Sequence, residues 1–571
     1  MCTGLRTILY LDKKVLAISR RKLYTSAHQS ANAPTRLSTK MTKGASIKYF
    51  GGFVMFIKVL MLLVFFGVMI GIGLYCRRHS TDVNGFVLGG RSVGPWLTAF
   101  AYGTSYFSAV IFVGYAGQFG WKYGIASTWI GIGNCLIGSL AAWVVLGRRT
   151  RIMTQHLNSA TMPEFFARRF DSKALQIAAS AVTFIFLIPY TASLYNGLSR
   201  LFGMAFNIDY SVCVIVMAIL TGVYVTAGGY MATAINDFIQ GMITLFGIVA
   251  VIAAVLASQG GFLAALEGLA KVSDPAVSET PGIFASFFGP DPLNLLGVVI
   301  LTSLGTWGLP QMVQKFYAIR NERAVYTGTI ISTFFALVVA GGCYFLGGFG
   351  RLFSDRIDVA ANGFDSIIPA MLSGLPDILI AVVVVLVLSA SMSTLSSLVL
   401  ASSSTLVLDF LKGNIVKEMD EKKQVRLMRG LIVVFIAISV VIAIVQYKSS
   451  VTFIAQLMGV SWGALAGAFL APFLYGLYWR KTTRAACWVS FIFSTVFMLA
   501  NMLARGSFPA LLQSPINAGA FCMLFGLVIV PIISMFTPKP DAQLVEDAFA
   551  CYDINVLVPQ SEALGRRQDW K

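Results

Sequence analysis

Apolar stretches of about 20 residues, each long enough to cross a hydrocarbon core, recur along most of this chain. A backbone buried in lipid must satisfy every N–H and C=O internally. Such stretches therefore become helices, and they are too long for barrel strands. Of 571 residues, 57% are hydrophobic and only 12% are charged, about half the charged share of a soluble protein. Thirteen spans are predicted, at 54–76, 96–119, 124–147, 174–202, 209–227, 233–257, 291–312, 324–350, 377–411, 428–446, 450–478, 485–504 and 515–537. The expected class is all-α and integral to the membrane.

Basic residues give an orientation. Arg77, Arg78 and Arg91 follow the first span; Arg148, Arg149, Arg151, Arg168, Arg169 and Lys173 follow the third. Lys315, Arg320 and Arg323 follow the seventh, the segment Lys412 to Arg429 the ninth, and Arg480, Lys481 and Arg484 the eleventh. All fall on one side, which the positive-inside rule makes cytoplasmic in a cell membrane. The N-terminus is then outside and the C-terminus inside. Residues 1–53 break the pattern with ten Lys and Arg and one Asp. They lack an apolar signal core and are expected to be a disordered extension, with Met55 a plausible true start. Because they supply half of the net charge of +18, the basic balance does not point to nucleic acid. The domain reading is extension 1–53, transmembrane domain 54–537 and cytoplasmic tail 538–571. The eight cysteines are scattered and expected to be free thiols.

Polar residues inside the apolar runs carry the chemistry. In the ninth span, Ala390, Ser393, Thr394 and Ser397 fall at i, i+3, i+4 and i+7 and form one stripe. Asp237 lies in another apolar run, where an ionisable residue is costly and points to function. Neutral oxygens beside one carboxylate suit a small hard cation such as sodium. Bland readings stand beside these: close packing through small residues for the stripe, a helix cap for Asp237. The second span is interrupted by polar residues and glycine from Tyr102 to Ser108, and the seventh by Gly305, Gly308 and Pro310. Two interrupted helices in corresponding positions point to an inverted-repeat transporter with a midplane site. No phosphate loop, nucleophile elbow or metal motif is present, so ATP as energy source and enzyme chemistry are not expected.

These residues make the chain recognisable. Gly89-Gly-Arg-Ser-Val-Gly-Pro-Trp96, Thr161-Met-Pro-Glu-Phe165, Asn236-Asp-Phe-Ile-Gln240, Gly308-Leu-Pro-Gln311 and Ser391-Met-Ser-Thr-Leu-Ser-Ser397 resemble the sodium/solute symporter family over roughly 55–535. The resemblance implies a five-plus-five inverted repeat of the LeuT type, spanning about 96–478, with broken first and sixth core helices. It implies sodium-coupled symport of a small organic solute by alternating access. A solute sensor on the same scaffold is the alternative, although only about 34 residues follow the last span, too few for a signalling domain. Sodium is then cargo, no organic cofactor is expected, and the oligomeric state is left open, with a monomer a plausible one.

Carried over residue by residue, the resemblance implies a first sodium site of Thr104, Phe107 and Ala390 carbonyls with the Ser393 and Thr394 hydroxyls. A second would use Asp237, Ser393, Ser396 and Ser397, giving two sodium ions per solute. The solute would meet Tyr106, Ser108, Ile111, Tyr115, Tyr190, Thr306 and Trp307. Proline carriers have an aspartate at the position of Tyr106 and aromatics at those of Thr302 and Thr306, while Tyr190 matches a proline-site tyrosine. The lining is neutral and semi-aromatic, which favours an amino acid or small organic acid over a polyol.

Overall fold

Where the long apolar runs bend is set by a few backbone positions. The computed structural model describes residues 59–77, 80–206, 208–412, 414–416, 418–449 and 454–552. The expected N-terminal extension, its alternative start and the last stretch of the tail lie outside them. Numbered in chain order, the principal helices begin with α1 (Val59–Cys76), α2 (Pro95–Tyr106), α3 (Val110–His156), α4 (Met162–Phe170) and α5 (Lys173–Phe206). Then come α6 (Tyr210–Ser258), α7 (Pro292–Gly308), α8 (Pro310–Ala318), α9 (Glu322–Gly347) and α10 (Asp377–Leu411). The series ends with α11 (Glu421–Ser449), α12 (Ile454–Tyr478), α13 (Arg484–Leu503), α14 (Pro515–Phe536) and α15 (Ala542–Ala550).

Among the described residues, ten helices are long and apolar enough to cross a membrane, or eleven with the bent pair α7–α8. The thirteen spans expected require α3 and α6 each to be divided. At 1.5 Å per residue, a run as long as α6 would reach about 73 Å, over twice a hydrocarbon core. Gly229 breaks it, at φ 59° and ψ −154°. A Cβ at that position would lie 2.8 Å from Phe86 Cδ2, so both the positive φ and the close approach demand glycine. In α3 the corresponding turn is Gly124, at φ 61°.

The two interruptions read from sequence are real and alike. Between α2 and α3, Phe107 is extended at φ −85° and ψ 123°. Between α7 and α8, Leu309 is extended at φ −81° and ψ 121°, and the helices bend by 45°. The second break has a local cause: Pro310 disfavours helical geometry in the residue before it and starts a new helix after it. The matching geometry is what an inverted repeat requires.

Burial sorts centre from rim. In the most apolar window, 94% of residues are buried in α12 and 78% in α10, against 22% in α1. α10 packs on α6, α5 and α2, and α12 packs on α14, α13, α5 and α7. The rim helices point Leu, Val and Ile outward, where lipid covers them. The seven described cysteines are free.

Several basic residues expected to share one side meet on one face of the protein. Arg91 donates to the Ser159 carbonyl at 2.6 Å and the Tyr317 carbonyl at 3.2 Å. Arg151 donates to the Ile319 and Arg320 carbonyls. Arg169 donates to the Gly476 and Trp479 carbonyls at 3.0 and 3.3 Å, at the negative end of α12. Burial lowers this guanidinium to about 10, so it stays charged at neutral pH. The segment after α14, expected as a tail, folds back here through α15. Arg149 lies 4.1 Å from the Tyr478 ring and 4.6 Å from the Tyr552 ring, and Arg169 lies 4.9 Å from the Phe549 ring.

Candidate functional site

The broken end of α2 creates the first cluster. Carbonyls in the last turn of a helix lack the N–H four residues on, and α2 ends at Tyr106. α10 meets them with hydroxyls. Ser393 Oγ is 3.1 Å from the Thr104 carbonyl and 3.1 Å from that of Ala390. Thr394 Oγ1 is 3.0 Å from the Thr104 carbonyl, 3.3 Å from that of Phe107 and 3.1 Å from that of Ala390. All five residues of the first expected set therefore converge. One hydroxyl carries one proton and serves one carbonyl well. Thr394 Oγ1 faces three, and a small hard cation among these oxygens would satisfy the surplus. The donor set, five neutral oxygens, fits sodium.

The second expected set is arranged differently. Asp237 lies within α6, two turns past the Gly229 break, and is fully buried. It is not a cap, because among the described residues neither carboxylate oxygen accepts a hydrogen bond. Its Oδ2 is instead 3.6 Å from Lys315 Nζ. Reading Lys315 with Arg320 and Arg323 as a basic segment beyond the span needs correction, since Lys315 is 2% exposed. Pro310 starts α8, and that helix carries the lysine inward. Its ammonium donates to Ser397 Oγ at 2.9 Å and lies 5.1 Å from the centre of the Tyr230 ring. Ser397 Oγ is also 2.8 Å from Ser105 Oγ on α2. Ser396 Oγ donates to the Ser393 carbonyl of its own helix at 2.8 Å, and Ser393 belongs to the first cluster. The structure brings Asp237 and Ser397 together around a lysine and leaves Ser396 outside.

The expected solute residues divide as well. The rings of Tyr106 and Tyr190 both face Trp462, with centroids 6.0 and 5.9 Å away. The hydroxyls of Tyr106, Ser108 and Tyr190 and the Trp462 indole N–H are buried without a hydrogen-bond partner among the described residues. Groups left so are costly, and bound water or a polar ligand would satisfy them. Thr306 lines a small internal cavity with Tyr106, Asn134 and Ser139, while its hydroxyl donates to the Gly138 carbonyl at 2.9 Å. Ile111 and Tyr115 lie on the wide-turned stretch Val110–Tyr115 that restarts the chain after the break. The Tyr115 hydroxyl donates to the Ala455 carbonyl at 3.2 Å, and the Trp307 indole donates to the Ile137 carbonyl at 3.0 Å. These two polar groups are committed to packing. Sequence reasoning missed Trp462, and it left out Gln311, whose buried amide has no partner among the described residues.

Comparisons with known proteins bear on the family and the fold. The family model described as the sodium:solute symporter family matches residues 86–493. The sodium/proline symporter of Staphylococcus aureus (strain JH9) is 30% identical over 436 residues, 75% of this chain and 82% of that protein. The osmoregulated proline transporter OpuE of Bacillus subtilis (strain 168) is 25% identical over 486 residues, 84% of this chain and 95% of that protein. Among solved structures, an outward-open Na+-coupled sialic acid symporter superposes with a TM-score of 0.65 at 15% identity, covering 85% of this chain and 99% of that one. That likeness shows the fold. The match over most of the chain makes this protein a transporter rather than an enzyme, and the chain belongs to the sodium:solute symporter family.

Proposed function

We propose that the chain carries a small amino acid or organic acid together with sodium by alternating access, with proline the first candidate. The observation that supports the sodium half most strongly is Thr394 Oγ1, within 3.3 Å of three carbonyl oxygens drawn from two helices. In this reading Thr104, Phe107, Ala390, Ser393 and Thr394 replace the water shell of the ion. Sodium bound there ties the broken helix α2 to α10, which ties solute affinity to sodium. The solute lies against Tyr106, Ser108, Tyr190 and Trp462, where unpaired donors meet a carboxylate and aromatic faces meet its apolar part. The printed names of the two proline transporters support the solute class. In the cell membrane, the face holding Arg91, Arg151 and Arg169 is cytoplasmic.

The energy available is substantial. One charge moved through 100 mV is worth about 2.3 kcal/mol, so a sodium driving force of roughly 150 mV supplies about 3.5 kcal/mol per ion. That supports roughly 300-fold accumulation of a neutral solute. The test is uptake of labelled proline into liposomes holding the purified protein, under an inward sodium or potassium gradient. Accumulation with sodium alone is expected. Uptake unaffected by sodium refutes the symport reading. Sodium-dependent uptake of some other solute, with proline and its analogues failing to compete, refutes only the solute assignment.

A further inference from the structure

We propose that the second cation of this transporter is built into the chain: the Lys315 ammonium takes the place between Asp237 and Ser397 that a second sodium would need, so one sodium moves per solute. The inference rests on the sodium-symport reading above and deepens it. Four helices converge on the ammonium. α6 brings Asp237, 3.6 Å away, and the Tyr230 ring, 5.1 Å away. α10 brings Ser397, 2.9 Å away, and α2 brings Ser105, 2.8 Å from Ser397 Oγ. α8 brings the lysine itself.

Every feature here suits an ammonium. A carboxylate supplies the countercharge, an oxygen accepts a proton, and an aromatic face covers the remaining side. Sodium would instead need several oxygens at once. Ser397 Oγ is already shared between Lys315 and Ser105, and Ser396 Oγ is turned to the Ser393 carbonyl. A sodium ion entering this cluster would place two positive charges against the single negative charge of Asp237, at a buried position where their repulsion is poorly screened. Lys315 is tethered to α8 and cannot be released to either side. It fills the position at any sodium concentration and contributes nothing to the driving force. It also ties α8, just past the second helix break, to α10 and to the segment of α2 that forms the sodium cage.

The arrangement makes a definite prediction for Lys315→Met. That variant keeps Asp237 and Ser397 and removes the resident charge, so the carboxylate is left to recruit an ion from solution. The experiment counts 22Na+ bound at saturation per molecule of purified protein, which needs no knowledge of the solute. One ion in the natural protein, one in Lys315→Arg and two in Lys315→Met are expected. Two ions in the natural protein overturn the inference and leave sodium symport standing. One ion in a folded Lys315→Met also overturns it, because the lysine would then not be holding a cation position. No ion in the natural protein refutes the symport reading itself. Should Lys315→Met fail to fold, the count on the natural protein decides alone: one supports the inference and two overturns it.

Discussion

On α10 the cluster at Ser393 and Thr394 and the cluster at Ser397 are one helical turn apart, yet they are made of opposite materials. The first gathers hydroxyls and main-chain carbonyls, with no charged side chain among its five residues. The second sets an acidic and a basic side chain 3.6 Å apart, both buried. Neutral oxygens lose water on folding at modest cost and leave lone pairs that an exchangeable ion could use. A buried carboxylate is far costlier and persists only when paired. The difference teaches that the hydroxyls α10 supplies to each cluster do not by themselves decide what it binds. What decides is whether the facing helix presents broken-helix carbonyls, as α2 does, or a lysine, as α8 does.

The contrast can be broken most forcefully at the charged cluster. Lys315→Met leaves Asp237 buried without its partner, and Asp237→Asn does the same to Lys315. Each is expected to cost about 3–5 kcal/mol in sodium-free buffer, read from the unfolding midpoint in detergent. Sodium should recover part of the loss in Lys315→Met only. The double variant, neutral at both positions, should return to within about 1 kcal/mol of the natural protein. Single variants as stable as the natural protein would mean that the pair is not a unit.

A second buried carboxylate sharpens the comparison, because no lysine reaches it. Asp365, between α9 and α10, has no ion pair among the described residues and accepts from the Ile454 N–H at 3.4 Å. Burial pushes its carboxyl up to about 6, with Arg200 and that N–H pulling it partly back. The unfolded value is about 3.9. Between about pH 4 and 6 the folded protein holds a proton that the unfolded chain releases, so stability falls as pH rises through this window and stays low above it. Asp365→Asn should therefore stabilise by about 2–3 kcal/mol at pH 7 and by nothing measurable near pH 4. A gain that does not vary with pH would exclude the titration.

The smallest effect is expected at Ser396, whose hydroxyl donates to the Ser393 carbonyl of its own helix. Ser396→Ala should change stability by less than about 0.5 kcal/mol and leave the sodium dependence of uptake unaltered. A raised sodium requirement would place Ser396 among the ligands after all and weaken the contrast drawn here.

Much of this was legible in the sequence because its signals are local. Apolar runs, the proline at 310 and the i, i+3, i+4 spacing of Ala390, Ser393 and Thr394 are all read within a few residues, and each reappears in space. The basic residues at Arg91, Arg151 and Arg169 also meet on one face as their spacing suggested. What stayed hidden depends on contacts between distant segments. Lys315 is separated from Ser397 by 82 residues, and beside Arg320 and Arg323 it looks like part of a solvated segment. The available clue was Pro310, which begins a helix near the expected end of the seventh span. Trp462 gave no clue, since a tryptophan in an apolar helix most often serves packing. Asp409, held by Thr161 at 2.6 Å and Gln176 at 2.8 Å, shows the same limit. The motif around Thr161 was visible, but the carboxylate it serves lies in another helix.

The central claim, that sodium is held where α10 meets the broken end of α2, is tested most directly by the sodium dependence of uptake in Thr394→Ala and Ser393→Ala. Removing one oxygen from a cage around a charged ion should cost about 1.5–3 kcal/mol. The sodium concentration for half-maximal uptake would then rise about 10- to 100-fold, with a parallel loss of solute affinity and the larger effect at Thr394, which reaches three carbonyls. Wild-type sodium dependence in both variants, with the protein folded and solute still carried, would contradict the account.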